Sequence, residues 1–165
     1  MMNRNEIIYL GGGCFWCIES IFNQVKGVEE VIPGYMGGKK EEANYKDVCS
    51  GNTEHAEVVK VIFDPNIIAF SKILEIFFHI HDPTSLNRQG NDLGSQYRSV
   101  IFYSSINQLK IIEKLVMRIN NNFKNKIVTE IVGSMEFFRA EDYHLDYYNL
   151  NKNEPYCSFV ISPKI

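Results

Sequence analysis

Between residues 14 and 26 the apolar side chains Ile18, Ile21, Phe22 and Val25 return at intervals of three and four, which predicts a helix that Gly27 closes. The hydrophobic segment 6–10 ahead of it reads as a short strand. Strands are also predicted over 28–33, over 57–63, where EVVKVIF is stopped by Asp64-Pro65, and over 97–103, YRSVIFY. Between the last two, SKILEIFFHIH carries helical spacing, with Ser71 as its N-cap and Asp82-Pro83 beyond its end.

The order strand, helix, strand, strand, helix, strand is the split βαβ pattern of ferredoxin-like α+β folds, with helices packed on an antiparallel or mixed sheet. A long helix over 105–123, a strand near 126–132 and a short helix over 140–150 extend it. Residues 151–165 form an irregular C-terminal tail that carries Cys157. Two long loops remain, 34–54 and 82–96, and loops of that length in a compact domain usually carry function. With 165 residues and no linker or repeat, a single catalytic domain spanning 1–165 is expected.

Charge narrows the partners. A formal net charge of −3 and a pI near 5.8 leave no basic face for nucleic acid. The lysines between 110 and 126 alternate with apolar residues at helical spacing and read as a solvated helix face. The opening MMNRNEIIYLGGG is too short in apolar residues for a secretory signal, and no run is long enough to span a bilayer. A cytoplasmic, monomeric protein without a membrane partner is expected, in a reducing compartment where cysteines tend to be catalytic, redox-active or metal-binding.

Residues 11–17, GGGCFWC, raise the chemistry. A cysteine at a first helical turn faces unpaired N–H groups and the positive end of the helix dipole, so Cys14 is expected to have a lowered pKa and to act as a nucleophile. Cys17, one turn on, is within disulfide reach after a modest distortion. Phe15 and Trp16 offer an aromatic surface suited to a methyl or thioether group. Other readings fit the pair: small buried hydrophobes, half of a zinc site completed by Cys49 and Cys157, a thioredoxin-like dithiol, or a redox-sensing module. The isolation of Cys49 from Cys157 weighs against zinc, and no metal is expected.

Glu57 enters a strand of Val and Ile, where it reads first as a strand-edge glutamate in water or, if held among the apolar groups, as a carboxyl of raised pKa and a proton donor near neutral pH. His55 reads equally as a ligand or as a satisfied loop histidine. The polar segment 81–99 carries Asp92 and Tyr97 toward a pocket or, alternatively, fastens itself through Asx turns. Tyr45 lies on the other long loop, as a hydrogen-bond donor or as a core lid. His144 reads as a core histidine and Cys49 as a buried structural thiol.

In this order GCFWC at 13–17, GYMGG at 34–38, YKDVCSGNTEHAEVVKVIFDP at 45–65, HDPTSLNRQGNDLGSQYRSVIFY at 81–103, AEDYHLDYY and YCSFVISPK resemble the type A peptide methionine sulfoxide reductases over nearly the full chain. The resemblance implies that Cys14 attacks the sulfur of methionine S-sulfoxide while Phe15 and Trp16 hold its methyl group. Glu57 then protonates the oxygen, Tyr45 and Tyr97 donate hydrogen bonds to it, and Asp92 supports the network. It also implies a sulfenic acid on Cys14, condensed with Cys17 or Cys157 into a disulfide that thioredoxin or another dithiol reopens, with no further cofactor. Substrates would be oxidised proteins or peptides and free methionine sulfoxide. Many relatives have Thr-Gly-His where this chain has Thr53-Glu54-His55, which adds a carboxylate beside the expected acid.

Overall fold

The structure, a computed structural model, describes residues 5–120 and 126–144. Strand β1 (Glu6–Gly11) leads into helix α1 (Phe15–Phe22), and β2 (Val28–Met36) follows. A 3-10 turn (Lys40–Glu42) and the short helix α2 (Tyr45–Cys49) precede β3 (Ala56–Phe63) and α3 (Phe70–Ile80). Next come a small hairpin, β4 (Arg88–Gln89) with β5 (Asp92–Leu93), a 3-10 turn (Ser95–Tyr97), and β6 (Val100–Tyr103). Helix α4 (Ile106–Asn120), β7 (Glu130–Gly133), β8 (Phe138–Arg139) and a 3-10 turn (Asp142–His144) complete the described chain.

The main sheet has the order β7-β6-β1-β3-β2-β8. Its inner strands β6-β1-β3-β2 are antiparallel throughout, which is the arrangement the split βαβ pattern predicts. β7 adds in parallel to β6, and β8 adds antiparallel to β2. The α+β sheet is therefore mixed.

Period-two alternation sorts the side chains of β3 onto two faces. Val59, Val61 and Phe63 enter the main core with Ile8, Leu10, Phe15, Phe77 and Ile112, where α1, α3 and α4 bury their apolar sides. Ala56 and Val58 join a smaller cluster on the other face with Met36, Val100 and Phe102, against which Tyr9 and Phe137 pack. Glu57 follows the parity of Val59 and so lies on the helix-covered face.

Several boundaries differ from the expectation. α1 stops at Phe22, and its continuation to 26 is a set of turns, Gln24 N–H to Ile21 O and Val25 N–H to Phe22 O, before Gly27 takes φ +100°. Ser71 does not cap α3: Ala69 holds that position, because Phe70 is drawn into the core and stacks on Phe63 with ring centres 6.0 Å apart. The strand expected from Tyr97 begins only at Val100. The strand near 126–132 starts at Glu130, and the helix over 105–123 is seen as α4.

Neither long loop lacks structure. The first contains the end of β2 and α2, which Asn44 caps by accepting from the Asp47 N–H at 2.9 Å. The second is fastened by an Asx-type cluster in which the Asp82 carboxylate takes the N–H and hydroxyl of Thr84 and the hydroxyl of Ser85. The helix expected over 140–150 opens as a 3-10 turn; its remainder and the tail 151–165 with Cys157 lie outside the described residues. No helix among the described residues is long and apolar enough to cross a membrane.

Candidate active site

β1 runs between β6 and β3, and its last residue shows why glycine is required there. A Cβ on Gly11 would sit 2.9 Å from both the Glu57 carbonyl oxygen and Val100 Cγ1. Gly13, at φ +92°, then turns the chain and donates its N–H to the Tyr97 carbonyl at 3.1 Å. The turn delivers Cys14 to the N-cap of α1 with extended backbone (φ −66°, ψ 131°), where its carbonyl accepts from the Cys17 N–H at 3.1 Å.

Cys14 keeps 7% of its surface open. Burial raises its pKa well above the usual thiol value, reinforced by a hydrogen bond with Cys17 and by the negative charges of Glu57 and Cys17; the Trp16 backbone N–H opposes the shift. The expected lowering is thus corrected. The helix terminus does favour the thiolate, but desolvation and a neighbouring carboxylate outweigh one backbone hydrogen bond.

Glu57 is 1% exposed and faces Tyr35 across the β2–β3 pair. Burial pushes its carboxyl up to about 8, with the charge of Asp92 adding to the rise, while the Phe15 N–H, donating to Oε1 at 3.1 Å, and Cys49 pull it down. At neutral pH most of Glu57 therefore holds a proton. The strand-edge glutamate in water is thus set aside, because the Glu57 side chain is buried.

Tyr45 and Tyr97 are half-buried and converge on the same point. Burial raises both hydroxyls, with the negative potential of Glu57 contributing to each, so both keep their protons and remain donors. Asp92, on β5, stands near enough for its charge to act on Glu57 and Tyr97.

The expectation for Cys49 is overturned. Its sulfur lies 3.9 Å from Glu57 Oε2 and exchanges hydrogen bonds with the hydroxyls of Tyr45 and Tyr97, so it belongs to the polar cluster. Burial raises its thiol pKa despite those two donors. Tyr45 and Cys49 stand four residues apart on α2, the spacing that puts two side chains on one helix face.

Phe15 is fully buried and Trp16 half-buried, so Trp16 presents the aromatic surface and Phe15 backs it. Tyr45 stacks against both, at 6.5 Å from Phe15 and 6.1 Å from Trp16. Two further residues complete this cage: His144, the core histidine of the sequence reading, and Glu141, for which no role was expected. His144 accepts the Trp16 indole N–H at 3.0 Å, and the Glu141 carboxylate takes the Tyr35 hydroxyl at 2.8 Å and the Tyr45 backbone N–H at 3.0 Å.

His55 is the satisfied loop histidine, its ring nitrogens meeting the Gly38 N–H at 3.1 Å and the Lys39 carbonyl at 2.8 Å. Glu54 is exposed, with its carbonyl accepting from Arg98. It helps to line a cavity of about 400 Å³ with Gly37, Gly38, Lys39, Glu42, Asn52 and Met135, a space that Cys14 does not border. Among the described residues no group of three or more His, Cys, Asp or Glu is placed to hold a metal ion.

Comparison with known proteins places the whole chain in a family. A family model described as peptide methionine sulfoxide reductase matches residues 6–165. The chain belongs to the peptide methionine sulfoxide reductase family. It is 54% identical to the peptide methionine sulfoxide reductase MsrA of Sulfolobus acidocaldarius over 160 residues, covering 97% of this chain and 91% of that one. It is 53% identical to the MsrA of Trichodesmium erythraeum, covering 97% and 92%. Reduced Mxr1 of Saccharomyces cerevisiae superposes with a TM-score of 0.89 at 34% identity, covering 93% of this chain and 90% of that one. Mxr1 in complex with Trx2 superposes with a TM-score of 0.63 at 25% identity, covering 87% and 85%.

Proposed function

We propose that this chain reduces the S-epimer of methionine sulfoxide, in oxidised proteins and peptides and as the free amino acid, using Cys14 as nucleophile and Glu57 as acid. The observation that carries this reading is a buried carboxyl that accepts at 3.1 Å from the first N–H of the helix presenting Cys14, in a setting that pushes its pKa up to about 8.

Bound between Trp16 and the polar cluster, the substrate puts its methyl group against the aromatic cage and its oxygen among Glu57, Tyr45 and Tyr97. The Cys14 sulfur attacks the sulfoxide sulfur as Glu57 passes its proton to the oxygen; the thiol proton of Cys14 returns Glu57 to its acid form. Oxygen transfers to Cys14, which is oxidised by two electrons to a sulfenic acid, and the substrate sulfur is reduced by two electrons to a thioether. Asp92 helps to keep Glu57 protonated. Tyr45 and Tyr97 donate to the developing negative charge on oxygen in a setting of low dielectric.

A second thiol then condenses with the sulfenic acid, releasing water and forming a disulfide. Cys17 fits this step, since its side chain is already hydrogen-bonded to Cys14; Cys157, outside the described residues, is the alternative. A dithiol reductant of the thioredoxin type reopens the disulfide by exchange, so no bound cofactor is needed. The complex of the related Mxr1 with Trx2 supports that partner. A cytoplasmic monomer without membrane or nucleic-acid partners completes the reading.

Cys14→Ala should abolish reduction of methionine S-sulfoxide, and retained turnover would remove Cys14 from the mechanism. Mass spectrometry after one turnover without reductant should find Cys14 joined to Cys17; a bond to Cys157 assigns the second step to the tail.

A further inference from the structure

The indole of Trp16 is held by a residue 128 positions away. Its N–H donates to Nδ1 of His144 at 3.0 Å. His144 has no exposed surface, and its ring centre lies 4.5 Å from Tyr45, 5.1 Å from Phe15 and 5.6 Å from Trp16. Stacking of aromatic rings fixes their separation but lets an indole slide and rotate in its own plane. A hydrogen bond to one ring nitrogen removes that freedom.

We propose that His144 is a positioning residue for substrate recognition, its Nδ1 lone pair locking the Trp16 indole in the orientation that receives the sulfoxide methyl group. The identity of the ligand rests on the reductase reading above.

An indole N–H only donates, so Nδ1 must accept, which assigns the neutral imidazole with its proton on Nε2. The described titratable groups against the ring are Glu141 in the same turn and Tyr45 on α2; α1 offers only the neutral rings of Phe15 and Trp16. Glu141 Oε1 lies 4.0 Å from Nε2 and so favours the proton on that side. Burial holds His144 below the usual histidine range, and Glu141 acts in the opposite sense. Once protonated, His144 would turn an Nδ1–H toward the indole N–H, two donors face to face, and the indole would lose its fixed orientation.

Trp16 is the single tryptophan of the chain, so emission excited where tyrosine does not absorb reports on this indole and its surroundings. His144→Phe keeps an aromatic ring and removes the acceptor, while His144→Asn keeps an acceptor that does not titrate. With N-acetylmethionine sulfoxide near pH 7, H144F should raise KM by about five- to twentyfold, as expected when a buried donor loses its partner, and leave kcat within about twofold. H144N should restore KM to within about twofold of the parent. Acid titration should change Trp16 emission in the parent before the fold is lost, and neither variant should show that change.

An unchanged KM in H144F, or an acid transition of equal size in either variant, would overturn the proposal. Should H144F not fold, the emission titration of H144N against the parent decides the matter. If the parent reduces no sulfoxide at all, the reductase reading fails, and the titration still reports whether the imidazole holds the indole.

Discussion

The main-chain N–H of Phe15 donates to Glu57 Oε1 at 3.1 Å, so a strand carboxyl 42 residues away closes the first turn of α1. The helix has no side-chain cap of its own at Cys14. Nucleophile and acid therefore share one hydrogen-bonded unit, and the charge of Glu57 acts on the titration of Cys14.

Replacing Glu57 by Gln removes the proton and keeps the shape. Turnover near neutral pH should fall by about 10²- to 10⁴-fold, the usual range for a lost general acid. The parent should lose activity as pH rises through about 8, and E57Q should lack that limb. A pH–rate profile of single turnovers checks both, and an unaffected rate removes Glu57 from the mechanism.

The same carboxyl makes stability depend on pH. Its folded pKa of about 8 exceeds the ordinary 4.5, so between these values the folded protein binds more protons than the unfolded chain, and stability falls as pH rises. E57Q has no such loss. Thermal melts at pH 6 and pH 9 should show the parent declining more steeply than E57Q; parallel declines would contradict the buried acid.

Alkylation of Cys14 by iodoacetamide, followed by mass spectrometry, should rise with pH only beyond the ordinary cysteine value of 9.0. Because Glu57 charge contributes to that shift, E57Q should move the rise to lower pH. A midpoint below the ordinary value in the substrate-free protein would restore the activated thiolate expected from the helix terminus.

Cys49→Ala deletes a hydrogen-bonding partner of Glu57 that pulls its carboxyl down. The high-pH limb of the rate profile should shift upward, with turnover at neutral pH kept within about tenfold, since one hydrogen bond between neutral groups contributes only about 0.5–1.5 kcal/mol. A profile identical to the parent would return Cys49 to a packing role.

The central fold was legible because alternation in EVVKVIF and helical spacing in SKILEIFFHIH are local signals, and four strands with two helices in that order admit few topologies. The start of α3 was misread because Ser71 has the right side chain for a cap, whereas the burial of Phe70 decides the matter. Cys14, Phe15, Tyr45, Glu57, Asp92 and Tyr97 lie near one another in the fold, because β1, β3 and the two long loops meet at the start of α1. The titration of Cys14 was misjudged for a physical reason: a helix start is visible in the sequence, but the desolvation and carboxylate charge that outweigh it arise only when β3 lies alongside.

Cys49 left one usable signal, its four-residue spacing from Tyr45 on a helical face. His144 was legible as a core histidine, but its bond to Trp16 and the bonds of Glu141 were not, because the partners Trp16, Tyr35 and Tyr45 stand 96 to 128 positions away.

Before the sheet closes, Cys14 is an ordinary cysteine on an open chain, free to react with any passing peroxide or disulfide. Packing β1 between β6 and β3 buries the sulfur and raises its pKa, so that less of it stands as the reactive thiolate. A thiol held mostly protonated reacts slowly with oxidants, so a newly made chain is most vulnerable while its outer pairings are still forming.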